Sequence, residues 1–166
     1  VLPRTSIKDK VVTFLVCGID DEPGRNLGQR TDVMMVVNYN IEEGKINVLQ
    51  IPRDTFVGFD ETSSGKLNAI YGAAKKNKGI DGLSAKIHDA FTLNIDHYVT
   101  IKMNGFKELV DAMGGVKMNV PVSFELDGVT IKKGTQVLNG NEAEAVVRER
   151  HSYPTADIGR LETQRV

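Results

Sequence analysis

The chain has 166 residues, of which 40% are hydrophobic and 26% charged, enough for one domain whose core needs no disulfide or structural metal. Twenty-one Lys and Arg against 22 Asp and Glu leave a formal net charge of -1, without the basic excess of a nonspecific nucleic-acid binder. A single cysteine excludes an intrachain disulfide, and no apolar run reaches the ~18 residues of a membrane-spanning helix.

Val11 to Val16 is an apolar, β-branched-rich run ending at Gly18, which predicts a central strand. Cys17, beside it, reads as a small buried hydrophobe. Ile19 to Arg30 carries Pro23, Gly24 and Gly28 and predicts a polar loop. Val33 to Tyr39 and Lys45 to Ile51 predict two further strands. The turn between them, Asn40 to Gly44, is short enough to make a hairpin. Pro52-Arg53-Asp54 stops the third strand, and Phe56 to Lys66 predicts a loop.

Leu67 to Lys78 and Asp81 to Phe91 have helical spacing, with Gly79 expected as the C-terminal stop of the first. His97 to Met103 predicts a strand. Asn104 is expected to cap a helix over Phe106 to Met113, which Gly114-Gly115 ends. Val116 to Val120 predicts a strand, and Asp127-Gly128 within Val122 to Lys132 is a two-residue hairpin signal. Asn139 starts a helix reaching about Arg150, and another begins at Asp157. Two hairpins and an irregular alternation of elements predict an α/β (α+β) fold, a mixed sheet flanked by helices. One domain is expected over residues 1–166, trimmed at both ends: the start lacks an initiator Met and a signal peptide, and Leu161 to Val166 reads as the middle of a helix.

Charged groups stand at three strand ends: Gly18-Ile19-Asp20, Arg30-Thr31-Asp32 and Pro52-Arg53-Asp54-Thr55. If the first three strands are neighbours, these groups converge on one sheet edge, where ligands of open α/β sheets bind. Magnesium takes one or two carboxylates and completes its shell with water and phosphate oxygens, a role open to Asp20 and Asp32. The planar fork of arginine grips phosphate oxygens bidentately and keeps its charge, a role open to Arg30 and Arg53. Strand-end Asp and Arg also serve as turn caps or exposed ion pairs of small worth. Lys66, after a flexible loop, is a candidate point charge for phosphate. Arg148 and Arg150 close a helix, where a cation also complements the helix dipole. Asp157, Arg160 and Gln164 can share one helical face, which could equally be solvated. The three histidines lack metal-site spacing, and neither G-x-G-x-x-G nor a P-loop is present.

Taken in order, these pieces resemble the LytR–CpsA–Psr family. The matching stretches are Val12 to Asp20, Arg30-Thr31-Asp32, Ile51 to Thr55, Lys66 to Tyr71, Asp96 to Val99, Gly105-Phe106, Leu109 to Val116, Leu138-Asn139-Gly140, Arg148-Glu149-Arg150, and Asp157 to Arg160 with Gln164. The resemblance spans nearly the whole chain. It implies a mixed sheet between helices with an apolar channel for a polyprenyl tail. It implies Mg2+, or Mn2+, on Asp20 and Asp32, and a substrate pyrophosphate held by Arg30, Arg53, Lys66, Arg148, Arg150, Arg160 and Gln164. Asp20, Asp32, Arg53 and Asp157 are the implied catalytic group. The implied activity is a phosphotransferase that moves a glycopolymer, such as teichoic acid or capsule, from a polyprenyl-pyrophosphate carrier to peptidoglycan and releases polyprenyl phosphate. The implied setting is extracytoplasmic, at the membrane surface, through the lipid substrate and an N-terminal membrane helix outside this sequence. Glu144, Val146 and Thr163 depart from the family pattern in positions that bear on the lipid channel and the acceptor.

Three other readings stand beside this one. A non-catalytic polyprenyl-pyrophosphate-binding module would use the same arginines. A hydrolase would use water as the acceptor. A transcriptional regulator would need a helix-turn-helix, a basic surface or a zinc site, and the sequence offers none; no nucleic-acid partner is expected.

Overall fold

The computed structural model describes residues 10–20, 30–60, 62–72, 79–149 and 152. It divides into two compact units, residues 1–101 and 102–166, each with its own apolar core.

In the first unit, β1 (Val11–Asp20), β2 (Arg30–Asn40), β3 (Lys45–Gln50) and β4 (His97–Lys102) form one sheet in the order β3-β2-β1-β4. β1 with β2, and β2 with β3, pair antiparallel. The hairpin turn is fastened by Asn40, whose Oδ1 accepts from the backbone N–H groups of Glu42 and Glu43, both at 3.1 Å. Gly44 completes it with a left-handed φ of 62°, a conformation that costs glycine little. β4 enters beside the start of β1, where Asp96 N–H donates to Thr13 O at 2.9 Å and Asp96 Oδ2 accepts from Thr13 N–H at 2.8 Å. The sheet is mixed, as the sequence predicts.

The strands run further than expected at one end. β1 continues to Asp20 and β2 begins at Arg30, so the cross-strand pairs Ile19–Thr31 and Asp20–Arg30 extend the ladder past a register shift after Gly18. Gly18 faces Val33 so closely that a Cβ there would lie 3.2 Å from Val33 Cβ.

Period-2 alternation sends Leu15 and Cys17 of β1, with Met34 and Val36 of β2, to one face. Leu83 and Ile87 of helix α1 (Gly79–Phe91) cover that face, together with Leu67 and Ile70. Their i, i+4 spacing places one side chain above the other on the same side of the helix.

Two helix expectations are corrected here. Leu67–Ala69 is a short 3-10 turn instead of the opening of a helix. Its first N–H groups are drawn to the strand exit, Leu67 to Thr55 O at 2.9 Å and Asn68 to Arg53 O at 3.1 Å. The remainder of that predicted helix, residues 73–78, lies outside the described residues. Gly79, expected as a stop, instead opens α1 with φ 74° while its N–H donates to Tyr71 O at 2.9 Å.

The second unit starts at helix α2 (Met103–Ala112). Its cap position is Lys102, with no side-chain cap, so Asn104 lies inside the helix and does not cap it. Gly114 and Gly115, at φ 80° and 97°, end it as expected. β5 (Val116–Val120) pairs antiparallel with β8 (Gly134–Leu138), a strand the sequence reading missed. β6 (Phe124–Leu126) and β7 (Val129–Ile131) form the expected hairpin, with Asp127 and Gly128 at φ 50° and 80°, the two positive values of a type I′ turn. Helix α3 (Gly140–Arg148) begins with a capping box: Asn139 Oδ1 accepts from Glu142 N–H at 3.0 Å, and Glu142 Oε2 accepts from Asn139 N–H at 2.9 Å. α3 crosses α2 at Gly140, where an added Cβ would sit 2.5 Å from Lys107 O. Val110, Val120, Ile131, Leu138 and Val146 fill the core beneath. Among the described residues no helix is long and apolar enough to cross a membrane.

Candidate anion site at the strand ends

The antiparallel order sets the site. The end of β1 lies beside the start of β2, with Asp20 opposite Arg30 and Ile19 opposite Thr31. β3 also exits at this edge, where Ile51 N–H donates to Met34 O at 2.9 Å. Pro52 then turns the chain, its carbonyl accepting from Thr55 N–H at 3.0 Å and from Thr55 Oγ1 at 2.6 Å. This turn delivers Arg53 to β2: Arg53 Nη1 donates to Asp32 Oδ1 at 2.8 Å, with the two side chains only 17% and 25% exposed.

The loop returns along the same exit. Phe56 bridges to Lys66, and Val57 N–H donates to Gly65 O at 2.8 Å. Gly65, at φ 64°, lies under Phe56, and a Cβ there would come within 2.5 Å of that ring. Lys66 Nζ is thereby held 3.0 Å from Asp54 Oδ1, which lies 4.0 Å from Arg53 Nε. Asp32, Arg53, Asp54 and Lys66 thus make a chain of alternating charge across the strand ends.

A second property sets this edge apart. Arg30 Nε, Thr31 Oγ1, Arg53 Nε and both amide atoms of Asn68 are buried with no hydrogen-bond partner. They are all such side-chain atoms among the described residues. Buried polar groups are nearly always paired, so a cluster of exceptions calls for a cause. Thr31 is 0% and Asn68 1% exposed, and the turn carrying Asn68 packs on β2.

The structure therefore gathers Arg30, Asp32, Arg53 and Lys66 at one edge. Of Asp20 only the backbone is described, opposite Arg30. Asp157, Arg150, Arg160 and Gln164 lie outside the described residues. In the second unit, Arg148 Nη1 donates to Asp127 Oδ2 at 3.0 Å and lies 3.5 Å from Glu144 Oε1. A cavity of about 290 Å³ lined by Leu126, Val129, Asn141 and Ala145 opens beside this pair. Glu144 also holds Lys107 Nζ at 3.2 Å.

Sequence reasoning missed Thr31, Asp54 and Asn68 as members of the site. They lie within the motifs, but their burial and placement come from the strand register. Among the described residues no three His, Cys, Asp or Glu side chains gather as a metal-binding group. One carboxylate with phosphate and water oxygens suffices for magnesium; Asp32 stands at this edge, in an ion pair with Arg53, and the Asp20 side chain is not among the described ones. Cys17 is 0% exposed, and burial pushes its thiol up to about 12, which makes it inert packing.

Comparison with known proteins identifies the family. The LytR_cpsA_psr family model matches residues 3–166. The chain belongs to this family. TagU of Bacillus mycoides, a polyisoprenyl-teichoic acid–peptidoglycan teichoic acid transferase, is 34% identical over 159 residues, covering 95% of this chain and 50% of that protein. The cell wall biosynthesis protein LcpA of Corynebacterium glutamicum is 30% identical over 165 residues, covering 85% of this chain and 32% of LcpA. The crystal structure of B. subtilis TagV matches with a TM-score of 0.79 at 32% identity, over 95% of this chain and 62% of that one. The chain thus spans half or less of these curated relatives. The LytR_cpsA_psr fold is the mixed sheet with helices that the sequence predicts.

Proposed function

We propose that this LytR_cpsA_psr domain is the catalytic part of a phosphotransferase that attaches a glycopolymer to peptidoglycan from a polyprenyl-pyrophosphate carrier. The observation that carries the reading is the strand-end cluster of Arg30, Asp32, Arg53 and Lys66 with unmet buried polar atoms around it. Its place in a family whose relatives include a teichoic acid transferase supports the choice of substrate.

In this reading a hydroxyl oxygen of peptidoglycan bonds to the phosphorus attached to the glycan. The bond from that phosphorus to the bridging oxygen breaks, and polyprenyl phosphate leaves with the electron pair. The hydroxyl proton passes to a carboxylate, with Asp20, Asp32 and Asp157 as the candidates. Phosphoryl transfer relies on positioning and on neutralising charge over the phosphate oxygens. Arg30 and Arg53 supply fixed positive charge and Lys66 a mobile one. The family resemblance also assigns Arg148, Arg150, Arg160 and Gln164 to the pyrophosphate; Arg148 is paired with Asp127 and Glu144 within the second unit, and the other three lie outside the described residues. Magnesium, or manganese in its place, would be held by Asp32 and Asp20 and, when bound, adds neutralising charge. The site would work at the outer face of the membrane, where the lipid carrier is presented.

The test follows release of polyprenyl monophosphate from a polyprenyl-pyrophosphate sugar, with and without magnesium and a peptidoglycan fragment. Magnesium-dependent release that rises with the fragment, with sugar-phosphate joined to it, is the expected result. Release indifferent to the fragment would make the protein a hydrolase. Tight lipid binding without release would make it a carrier-binding module.

A further inference from the structure

We infer that Thr31 and Asn68 are binding residues of this site, two buried neutral hydrogen-bonding side chains that receive phosphate oxygens of the pyrophosphate between the arginines. The inference deepens the function proposed above and rests on it.

Four observations carry it. Thr31 and Asn68 are 0% and 1% exposed, yet the Thr31 hydroxyl and both Asn68 amide atoms have no partner. Leaving such groups unpaired in a folded interior is costly. Both belong to the edge already described: Thr31 stands between Arg30 and Asp32 on β2, opposite Ile19, and Asn68 N–H donates to Arg53 O at 3.1 Å. The other orphaned buried side-chain atoms among the described residues are the Nε–H donors of Arg30 and Arg53.

The chemistry selects the ligand. A hydroxyl supplies one donor and a carboxamide two, beside two unmet guanidinium Nε–H donors. A group rich in donors and short of acceptors matches a ligand that offers only acceptors, and the oxygens of a pyrophosphate do so. Asn68 Oδ1 is the one strong acceptor among the orphans, so the NH2 of that amide is the part suited to an acceptor ligand. Neutral donors also bind without adding to the desolvation of further buried charge. Burial keeps them dry, where a hydrogen bond to a charged oxygen is worth most.

Isosteric variants separate binding from packing. Thr31→Val and Asn68→Leu keep shape and remove the orphaned polar atoms. Each is expected to weaken binding of inorganic pyrophosphate and geranyl pyrophosphate about 10- to 100-fold, the range for one or two hydrogen bonds to a charged ligand. Each is also expected to hold or raise Tm, because the folded protein no longer buries an unpaired group. Thr31→Ser, which keeps the hydroxyl, should stay near wild-type affinity. Wild-type affinity in Thr31→Val and Asn68→Leu, with Arg53→Ala still defective, would overturn this inference and leave the proposed site intact. A fall in Tm for both, with no loss of affinity in the folded fraction, would also overturn it by making the two residues structural. An affinity loss seen only with magnesium present would reassign their oxygens as cation ligands. Failure of wild-type protein to bind either probe, or full binding by Arg53→Ala, would instead sink the pyrophosphate site itself.

Discussion

Arg53 and Arg148 both close on a carboxylate, at 2.8 Å and 3.0 Å, in different units of the chain. Around Arg53 the ion pair is mostly covered, and Arg53 and three other residues of this edge, Arg30, Thr31 and Asn68, hold buried polar atoms with no hydrogen-bond partner. Around Arg148 the pair is open, its partner Asp127 being 64% exposed, and Glu144 and Lys107 extend it into a network. The geometry of an ion pair therefore says little about function. What distinguishes the strand ends is burial combined with unmet hydrogen-bonding capacity. A surface network is satisfied by water and by its own members, whereas a covered cluster with spare donors has bonding capacity left for a ligand or a buried water.

The sharpest way to break this contrast is to remove one charge from the covered cluster. Arg53→Ala should cut turnover by about 10²- to 10³-fold, the cost of losing one aimed electrostatic group in a transition state. Single-turnover release of polyprenyl monophosphate would measure it, with circular dichroism to check that the fold persists. Turnover within a few-fold of wild type would remove Arg53 from the chemistry.

The next effect belongs to the second unit and is one of packing alone. Gly140→Ala would drive a Cβ to 2.5 Å from Lys107 O and 2.9 Å from Asp111 Oδ2. It should lower stability by about 1–3 kcal/mol through overpacking between α2 and α3. Urea denaturation with an unchanged m-value is the measurement. No loss would mean that the two helices have room to separate.

Smaller again is the cap of α3. Asn139→Ala removes the side-chain bond of the capping box, from Glu142 N–H to Asn139 Oδ1, and leaves the backbone N–H bond to Glu142 Oε2; it should cost about 1 kcal/mol. Asn139→Asp should recover most of it, since both residues cap well. A loss that Asp fails to recover would point to a different role for this side chain.

Smallest is the exposed pair itself. Asp127→Asn weakens the contact to Arg148 while keeping a residue that tolerates the left-handed φ of 50° at that turn. The expected change is at most about 1 kcal/mol, fading further at high salt. A larger, salt-insensitive loss would make the two arginines more alike than their surroundings suggest.

Much of the fold was readable because it rests on local pattern. The apolar runs at Val11 to Val16 and Val33 to Tyr39 became β1 and β2, and Asp127-Gly128 became the tight turn of β6–β7. The misses arose where tertiary bonds overruled local preference. Leu67 to Ala69 has helical spacing, but Ala69 and Ile70 N–H close i→i+3 bonds to Lys66 and Leu67 carbonyls while Leu67 and Asn68 N–H tie the turn to Thr55 and Arg53, so the segment is a 3-10 turn anchored to the strand exit. Asn104 is a good cap in isolation, yet α2 starts one residue before it, directly from β4. β8 escaped notice because Gly134 to Leu138 is short, and only its pairing with β5 makes it a strand.

The sequence by itself determined the family, through an ordered set of modest motifs. It also determined that the charges stand at strand ends, since Asp20, Asp32 and Arg53 each flank an apolar run. Only the tertiary structure decided which of them meet. The register that sets Asp20 opposite Arg30, and the Pro52 turn that carries Arg53 back to Asp32, are contacts between segments about 10 and 21 residues apart. It alone decided that Thr31 and Asn68 are buried without partners. Burial depends on what other segments cover a side chain, and no local pattern of residues encodes that.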